Sequence, residues 1–345
     1  MFGMKKGLTV LLLVTVLLSF SLIGFGQTSF FDISKANPPK AIQSSDMTIF
    51  FIVKASENEF WQIVLDGAQK AANHFGVEFI HQEATSESEV SRQVSILETA
   101  ISTNPDAIVL APTVADALVP GIERAMDSGI PVIIIDSMAN TDNYVSFLGS
   151  DNYTIGQRSA DELAKALEEK NGSPSGKVAA ITYMSGVGSL EARISGFLDR
   201  IEEAYPDIEV VSVRDAMGQV GNTINITLDL LTAYPDLDGL YANNQMTGDD
   251  MVRALDMQGR NDLAAVAVDA SAQEIWGLEN GYLDSVLVQQ PWVMGYAGVA
   301  YAVMARNGVP LAKNVDTGIL VITPESLASG EADAAINPFE YYKDW

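Results

Sequence analysis

The chain predicts an α/β protein made of two doubly wound parallel-sheet lobes, and three observations carry that prediction. Strand-like and helix-like spacings alternate without a break from Thr48 to Asn307. Such alternation yields parallel strands joined by right-handed crossovers, with helices on both sheet faces. The alternation also falls into two series of similar length, separated by Gly149-Ser150-Asp151-Asn152. Finally, apolar strand-like runs keep stopping at a hydrogen-bonding side chain: Thr48–Val53 at Lys54, Val132–Ile135 at Asp136, Gly239–Ala242 at Asn243 and Asn244, Ala264–Val268 at Asp269, and Ser285–Val288 at Gln289. Ligands of open α/β sheets sit outside the carboxyl ends of the strands. These side chains are therefore the expected lining of one pocket for a small polar molecule.

The first series begins with Thr48–Val53 as strand and Phe60–Phe75 as helix, where Ile63, Val64, Ala68, Ala71 and Ala72 keep one apolar face. Strand Val77–Ile80, helix Glu89–Ile101, strand Ala107–Leu110, helix Ala115–Met126 and strand Val132–Ile135 follow. Pro120 inside the third helix either kinks it or marks its true first turn. The second series takes helix Ile155–Leu167, strand Val178–Ile181, helix Leu190–Glu203, strand Glu209–Val213, helix Thr223–Thr232 and strand Leu240–Ala242. It closes with helix Asp249–Met257, strand Ala265–Val268, helix Gln273–Glu279, strand Val286–Val288 and helix Met294–Asn307. Gly76, Gly129 (with Pro131 behind it) and Gly308 stand where helix stops are required.

Lys5 and Lys6 precede an apolar stretch from Leu8 to Phe25, and Gly24 and Gly26 supply small residues at a cut before Gln27. A basic n-region, an apolar core and a small-residue exit describe a secretory signal peptide. The expected order is signal peptide 1–26, tether 27–46, then the lobes, with the protein exported to a periplasm; a retained membrane anchor is the competing reading of the same stretch. The net charge of −25 argues against nucleic-acid or anionic-membrane partners, which call for a basic face. With no cysteine, disulfides, thiolate catalysis and a lipid-modified N-terminus are all excluded on chemistry. His74 and His81 lie on different elements and form no compact metal site.

In order along the chain stand Asn58-Glu59-Phe60-Trp61 with Asp66-Gly67-Ala68, Pro131–Asp136, Gly149–Asn152, Arg193-Ile194-Ser195-Gly196-Phe197, Pro235–Asn244, Val268-Asp269 and Gln289-Gln290-Pro291. Taken together they resemble the periplasmic sugar-binding proteins of the ribose/glucose/galactose type, which feed ABC importers. The resemblance runs from Met47 to about Thr323. It implies two lobes joined by three hinge strands that close on a monosaccharide. Lobe 1 would hold 47–150 and 290–318, and lobe 2 would hold 151–289 and 319–345. By the same resemblance Asp136, Arg193, Asn244, Asp269 and Gln289 hydrogen-bond sugar hydroxyls, and Phe60 and Trp61 offer flat faces to the ring; Asn58 and the strand-end Lys54 are further ligand candidates, with an ion pair to Glu57 or Glu59 as the alternative for Lys54. A hydroxyl both donates and accepts, so carboxylates and amides suit it. The implied partner is a membrane permease, the protein is a monomer, and no cofactor or metal is implied.

The departures from that pattern are specific. Ser137 follows Asp136 where several relatives place arginine, Lys54 replaces a small polar residue of ribose-type members, and no aromatic stands near Met217-Gly218-Gln219. They turn the expectation away from ribose itself and toward a hexose or related polyol. Gly186-Val187-Gly188-Ser189-Leu190-Glu191 starts like a dinucleotide fingerprint, but Glu191 occupies the third glycine position. The carboxylate-rich run Glu83–Glu89 reads as a solvated loop and helix start. Beside the importer reading stands a second one, an exported sensor module that presents its ligand to a membrane kinase or chemoreceptor.

Overall fold

The computed structural model describes residues 46–330 and 332–344. The expected signal peptide, and the tether up to residue 45, lie outside the described residues. Among the described residues no helix is long and apolar enough to cross a membrane.

Lobe 1 is wound β1 (Thr48–Ala55), α1 (Glu59–Phe75), β2 (Glu78–Ala84), α2 (Val90–Thr103), β3 (Ala107–Leu110), α3 (Val119–Asp127), β4 (Val132–Ile135) and β5 (Ser146–Gly149). Lobe 2 repeats the plan with α4 (Asn152–Asn171), β6 (Gly176–Thr182), α5 (Gly188–Ala204), β7 (Ile208–Asp215), α6 (Asn222–Ala233), β8 (Leu237–Ala242), α7 (Gln245–Gln258), β9 (Ala264–Val268), α8 (Ala272–Glu279) and β10 (Ser285–Val288). The chain then returns through α9 (Pro291–Arg306) and β11 (Asn314–Asp316), and crosses a third time into β12 (Leu320–Ile322), α10 (Pro324–Ser329), α11 (Asp333–Ile336) and α12 (Pro338–Tyr341).

Each lobe has a six-stranded sheet, in the orders β11-β5-β4-β3-β1-β2 and β12-β10-β9-β8-β6-β7. Every pair is parallel except β10 with β12. Side chains alternate across a strand, and β1 divides accordingly. Ile49, Phe51 and Val53 enter a core with α1 and α9, while Phe50 and Ile52 enter one with α2 and α3.

The helices on one face of each sheet pair through glycine. A Cβ on Gly67 would meet the Trp292 carbonyl oxygen at 2.1 Å, and one on Gly295 would meet that of Val64 at 1.8 Å, so α1 and α9 touch backbone to backbone. In lobe 2 the same device joins α4 and α5, where Gly156 faces the Arg193 oxygen and Gly196 faces that of Tyr153.

Pro120 marks a first turn, and residues 115–118 expected in that helix lie before it. Helix α7 starts four residues earlier than its apolar spacing indicated, because Asn244 and Thr247 form a reciprocal cap there. The C-terminal residues expected with lobe 2 divide instead. Ala332 is enclosed in a lobe 2 core, but Tyr342 is buried in the lobe 1 core against Trp292.

Candidate functional site

The carboxyl ends of both sheets face one cleft. Strand β1 delivers Lys54, whose Nζ pairs with Asp136 Oδ2 at 2.7 Å, both side chains being about 95% enclosed or more. The same Nζ donates to Ser137 Oγ at 2.6 Å, and Ser137 Oγ donates to Asp136 Oδ2 at 2.8 Å. Ser137 therefore fixes the lysine–aspartate pair.

Asp136 and Asp269 occupy matching places in the two lobes. Each follows a central strand, β4 or β9, and donates its N–H to the next strand, to the Leu148 oxygen at 3.0 Å or the Leu287 oxygen at 2.9 Å. Both adopt positive φ, 64° and 92°. Outside glycine such backbone is uncommon, aspartate and asparagine tolerate it best, and it clusters at functional sites. The turn after each strand thus aims a carboxylate into the cleft. Asp269 accepts from Gln289 Nε2 at 3.0 Å and from the Gln245 N–H at 3.2 Å. Its burial raises the carboxyl pKa, with the Arg193 charge opposing that rise.

Arg193 is 2% exposed in α5. Its Nε donates to Asn152 Oδ1 and one terminal nitrogen to the Asn243 oxygen, both at 2.8 Å. The guanidinium is locked by two bonds and has donors left over. Asn58 and Asn244 are helix N-caps, accepting from the Trp61 and Thr247 amides. Cap duty consumes their carbonyl oxygens and directs their NH2 groups elsewhere; that of Asn58 lies 3.5 Å from Glu87 Oε1.

Lys54, Asn58, Phe60, Trp61, Asp136, Arg193, Asn244, Asp269 and Gln289 all line one cleft between the lobes. The structure brings together every residue the sequence nominated. It adds Glu87, Ser189, Leu190 and Gln245. Glu87 corrects the reading of Glu83–Glu89 as a solvated run: it is 5% exposed, and its Oε1 accepts from Trp61 Nε1 at 3.0 Å. Burial raises its pKa, with the Lys54 charge and the Trp61 bond opposing. No spacing in the sequence marks Glu87, because only the fold sets its loop beneath Trp61. Ser189 and Gln245, by contrast, sit beside nominated residues at the starts of α5 and α7, and that proximity was a usable signal.

Phe60 and Trp61 pack edge to face, with centroids 4.9 Å apart at 80°. Lys54 Nζ lies 5.5 Å from the Trp61 ring centroid.

Direct bonds cross the cleft. Ser137 Oγ meets Ser189 Oγ at 2.8 Å, the Phe60 N–H donates to Gln245 Oε1 at 3.3 Å, and Tyr183 OH donates to Glu57 Oε1 at 3.2 Å. The lobes are closed on one another.

The comparisons with known proteins agree with this geometry. Residues 49–309 match the profile of the periplasmic binding protein domain. The ribose import binding protein of Escherichia coli (strain K12) is 26% identical over 261 residues, covering 76% of this chain and 85% of that one. A carbohydrate transporter solute binding protein from Agrobacterium radiobacter, solved in complex with D-arabinose, superposes with a TM-score of 0.83 at 36% identity, covering 85% and 99%. An ABC transporter solute binding protein from Agrobacterium vitis with bound D-fucose gives 0.79 at 33%, covering 84% and 99%. Two lobes wound alike, three crossovers and a polar cleft between them are what a family of two-lobed binding proteins requires, and this chain belongs to the periplasmic binding protein domain family.

Proposed function

We propose that the protein captures a neutral monosaccharide between its lobes and delivers it to an ABC importer. The observation that carries the reading is one cleft lined from both lobes by Lys54, Arg193, Glu87, Asp136 and Asp269, with Phe60 and Trp61 alongside. Three acids against two bases leave no spare positive charge for a sugar acid or a sugar phosphate. Charged donors and acceptors do bind hydroxyls strongly. The rings supply apolar surface for the C–H face of a sugar.

Asp136 and Lys54 belong to one lobe, Arg193 and Asp269 to the other, so a bridging ligand gains most when the cleft is shut. That difference in affinity shifts the population from open to closed. A permease then has a shape to recognise that the unliganded protein presents less often. Export on the N-terminal leader, cleavage after Gly26 and action as a single copy belong to the same proposal.

The test is a thermal-shift panel followed by calorimetry on the mature protein, using D-arabinose, D-fucose, D-ribose, xylitol and gluconate. A ligand confined to the folded state raises the melting temperature by mass action. A neutral sugar is expected to shift the midpoint and gluconate is not. No shift with any neutral sugar at millimolar concentration would defeat the proposal.

A further inference from the structure

The family profile stops at residue 309, and the chain continues. After the third crossover its last described residues anchor first on one lobe and then on the other. Ala332 is fully enclosed in a lobe 2 core, and Leu327, Ala335 and Ile336 pack against that core. Ten residues later Tyr342 is 3% exposed inside the lobe 1 core. Its ring stacks on Trp292 at 4.0 Å and 12°. Lys70 Nζ of α1 donates to the Lys343 oxygen at 2.9 Å.

Trp292 is the second residue of α9, directly after the crossover at Gln289 and Gln290. It is fixed in lobe 1 by its own Nε1, which donates to Asp66 Oδ2 at 2.8 Å. The segment 332–344 thus spans the second crossover on the side of Gln290. Ala334, Ala335, Pro338 and Tyr342 of the segment face Gln289, Gln290, Trp292 and Val293 across an almost filled gap.

We propose that residues 332–344 form a strap that ties the two lobes across the hinge and holds the closed arrangement, so that sugar affinity is set partly outside the pocket. The physical reason is that the strap has little slack. Between its anchors the turns are closed by backbone bonds: Ile336 N–H to the Ala332 oxygen at 3.0 Å, and Asn337 to Asp333, Tyr341 to Asn337 and Tyr342 to Pro338, each at 2.9 Å. Rotating the lobes about Gln289–Gln290 changes the distance from Ala332 to Trp292. The two turns cannot lengthen without breaking those bonds, and Asn337, at φ −129° and ψ 53°, is the one non-helical link between them, so opening beyond what that link takes up must break the bonds or draw Tyr342 off Trp292. Either event disfavours the open form. Apparent affinity scales with the fraction of molecules in the binding-competent form, so the strap raises it without touching the ligand.

The experiment uses the mature chain, a truncation ending at Asn337, and the variants Tyr342→Ala and Tyr342→Phe. Small-angle scattering on ligand-free protein reads the hinge, and calorimetry with D-arabinose or D-fucose reads the affinity. The truncation and Tyr342→Ala should enlarge the ligand-free radius of gyration and weaken binding about tenfold, since a stacked aromatic pair has that scale of worth. Tyr342→Phe keeps the stacked ring and should lose less than Tyr342→Ala. The affinity arm rests on the sugar-binding proposal, but the scattering arm does not, so a parent that binds no sugar still tests the strap. An unchanged ligand-free radius in both disrupted proteins overturns the inference, whatever the affinities.

Discussion

Replacing Asp269 by asparagine removes one charge from the cleft while keeping shape and backbone conformation. Position 269 has φ 92°, which asparagine tolerates better than alanine does. Asp269→Asn therefore separates the chemistry of the carboxylate from strain that alanine would add. The carboxyl oxygens already accept from Gln289 Nε2 and the Gln245 N–H, and their remaining acceptor sites face the cleft. Hydrogen bonds to a charged group contribute about 1.5–3 kcal/mol each. Losing charge from one or two bonds to sugar hydroxyls should cost about 2–4 kcal/mol, a fall in affinity of about 30- to 1000-fold. Folding should suffer little, because burial already disfavours the charged form at this position. Calorimetry with the best sugar of the panel gives the affinity, and a thermal melt of the ligand-free protein gives the fold. An intact fold with affinity within about threefold of the parent would refute the role assigned to Asp269.

Other perturbations test separate steps of the argument. Glu87→Gln keeps an acceptor for Trp61 Nε1 but weakens any bond to a sugar hydroxyl, so affinity should drop about tenfold or more while the melt holds, and calorimetry decides it. Gly295→Ala drives a methyl group into the Val64 carbonyl oxygen; urea denaturation should register a loss of about 2–3 kcal/mol, and a loss below a few tenths would show that the helices can part. Asp249, which accepts from Ser271 Oγ and lies near Arg253, Asp250, Asp269 and Glu274, has its pKa raised to about 6, chiefly by burial. The folded form then holds a proton the unfolded form has released, so this group costs stability as pH rises from about 4 to about 6. Asp249→Asn should remove that part of the slope, worth at most about 3 kcal/mol; parallel denaturation curves at either end of the range would show no such coupling.

Much of the fold was legible because its signals are local. Alternation of β1 side chains between two cores, glycine stops and the Pro120 turn each depend on a few neighbouring residues. Helix α7 was misplaced at its start for the opposite reason: Asn244 and Thr247 cap it through a reciprocal pair that apolar spacing does not register. The short strands β11 and β12 have three residues apiece and gain their pairing from β5 and β10. Their own sequences carry little periodicity to read.

Lys54, Asp136, Asn244, Asp269 and Gln289 were visible because each ends or follows an apolar run, and in a parallel sheet every such end points to the same side. That much the sequence determined by itself: two wound lobes, a shared polar edge and the residue types set there. Tertiary structure alone decided that Glu87 lies under Trp61, that Ser137 joins Lys54 to Asp136 and reaches Ser189, and that Tyr342 crosses back to Trp292. These contacts join residues that are 26, 83, 52 and 50 positions apart. No periodicity spans such intervals, since the partners meet only where packing of whole helices and sheets carries one chain segment to another.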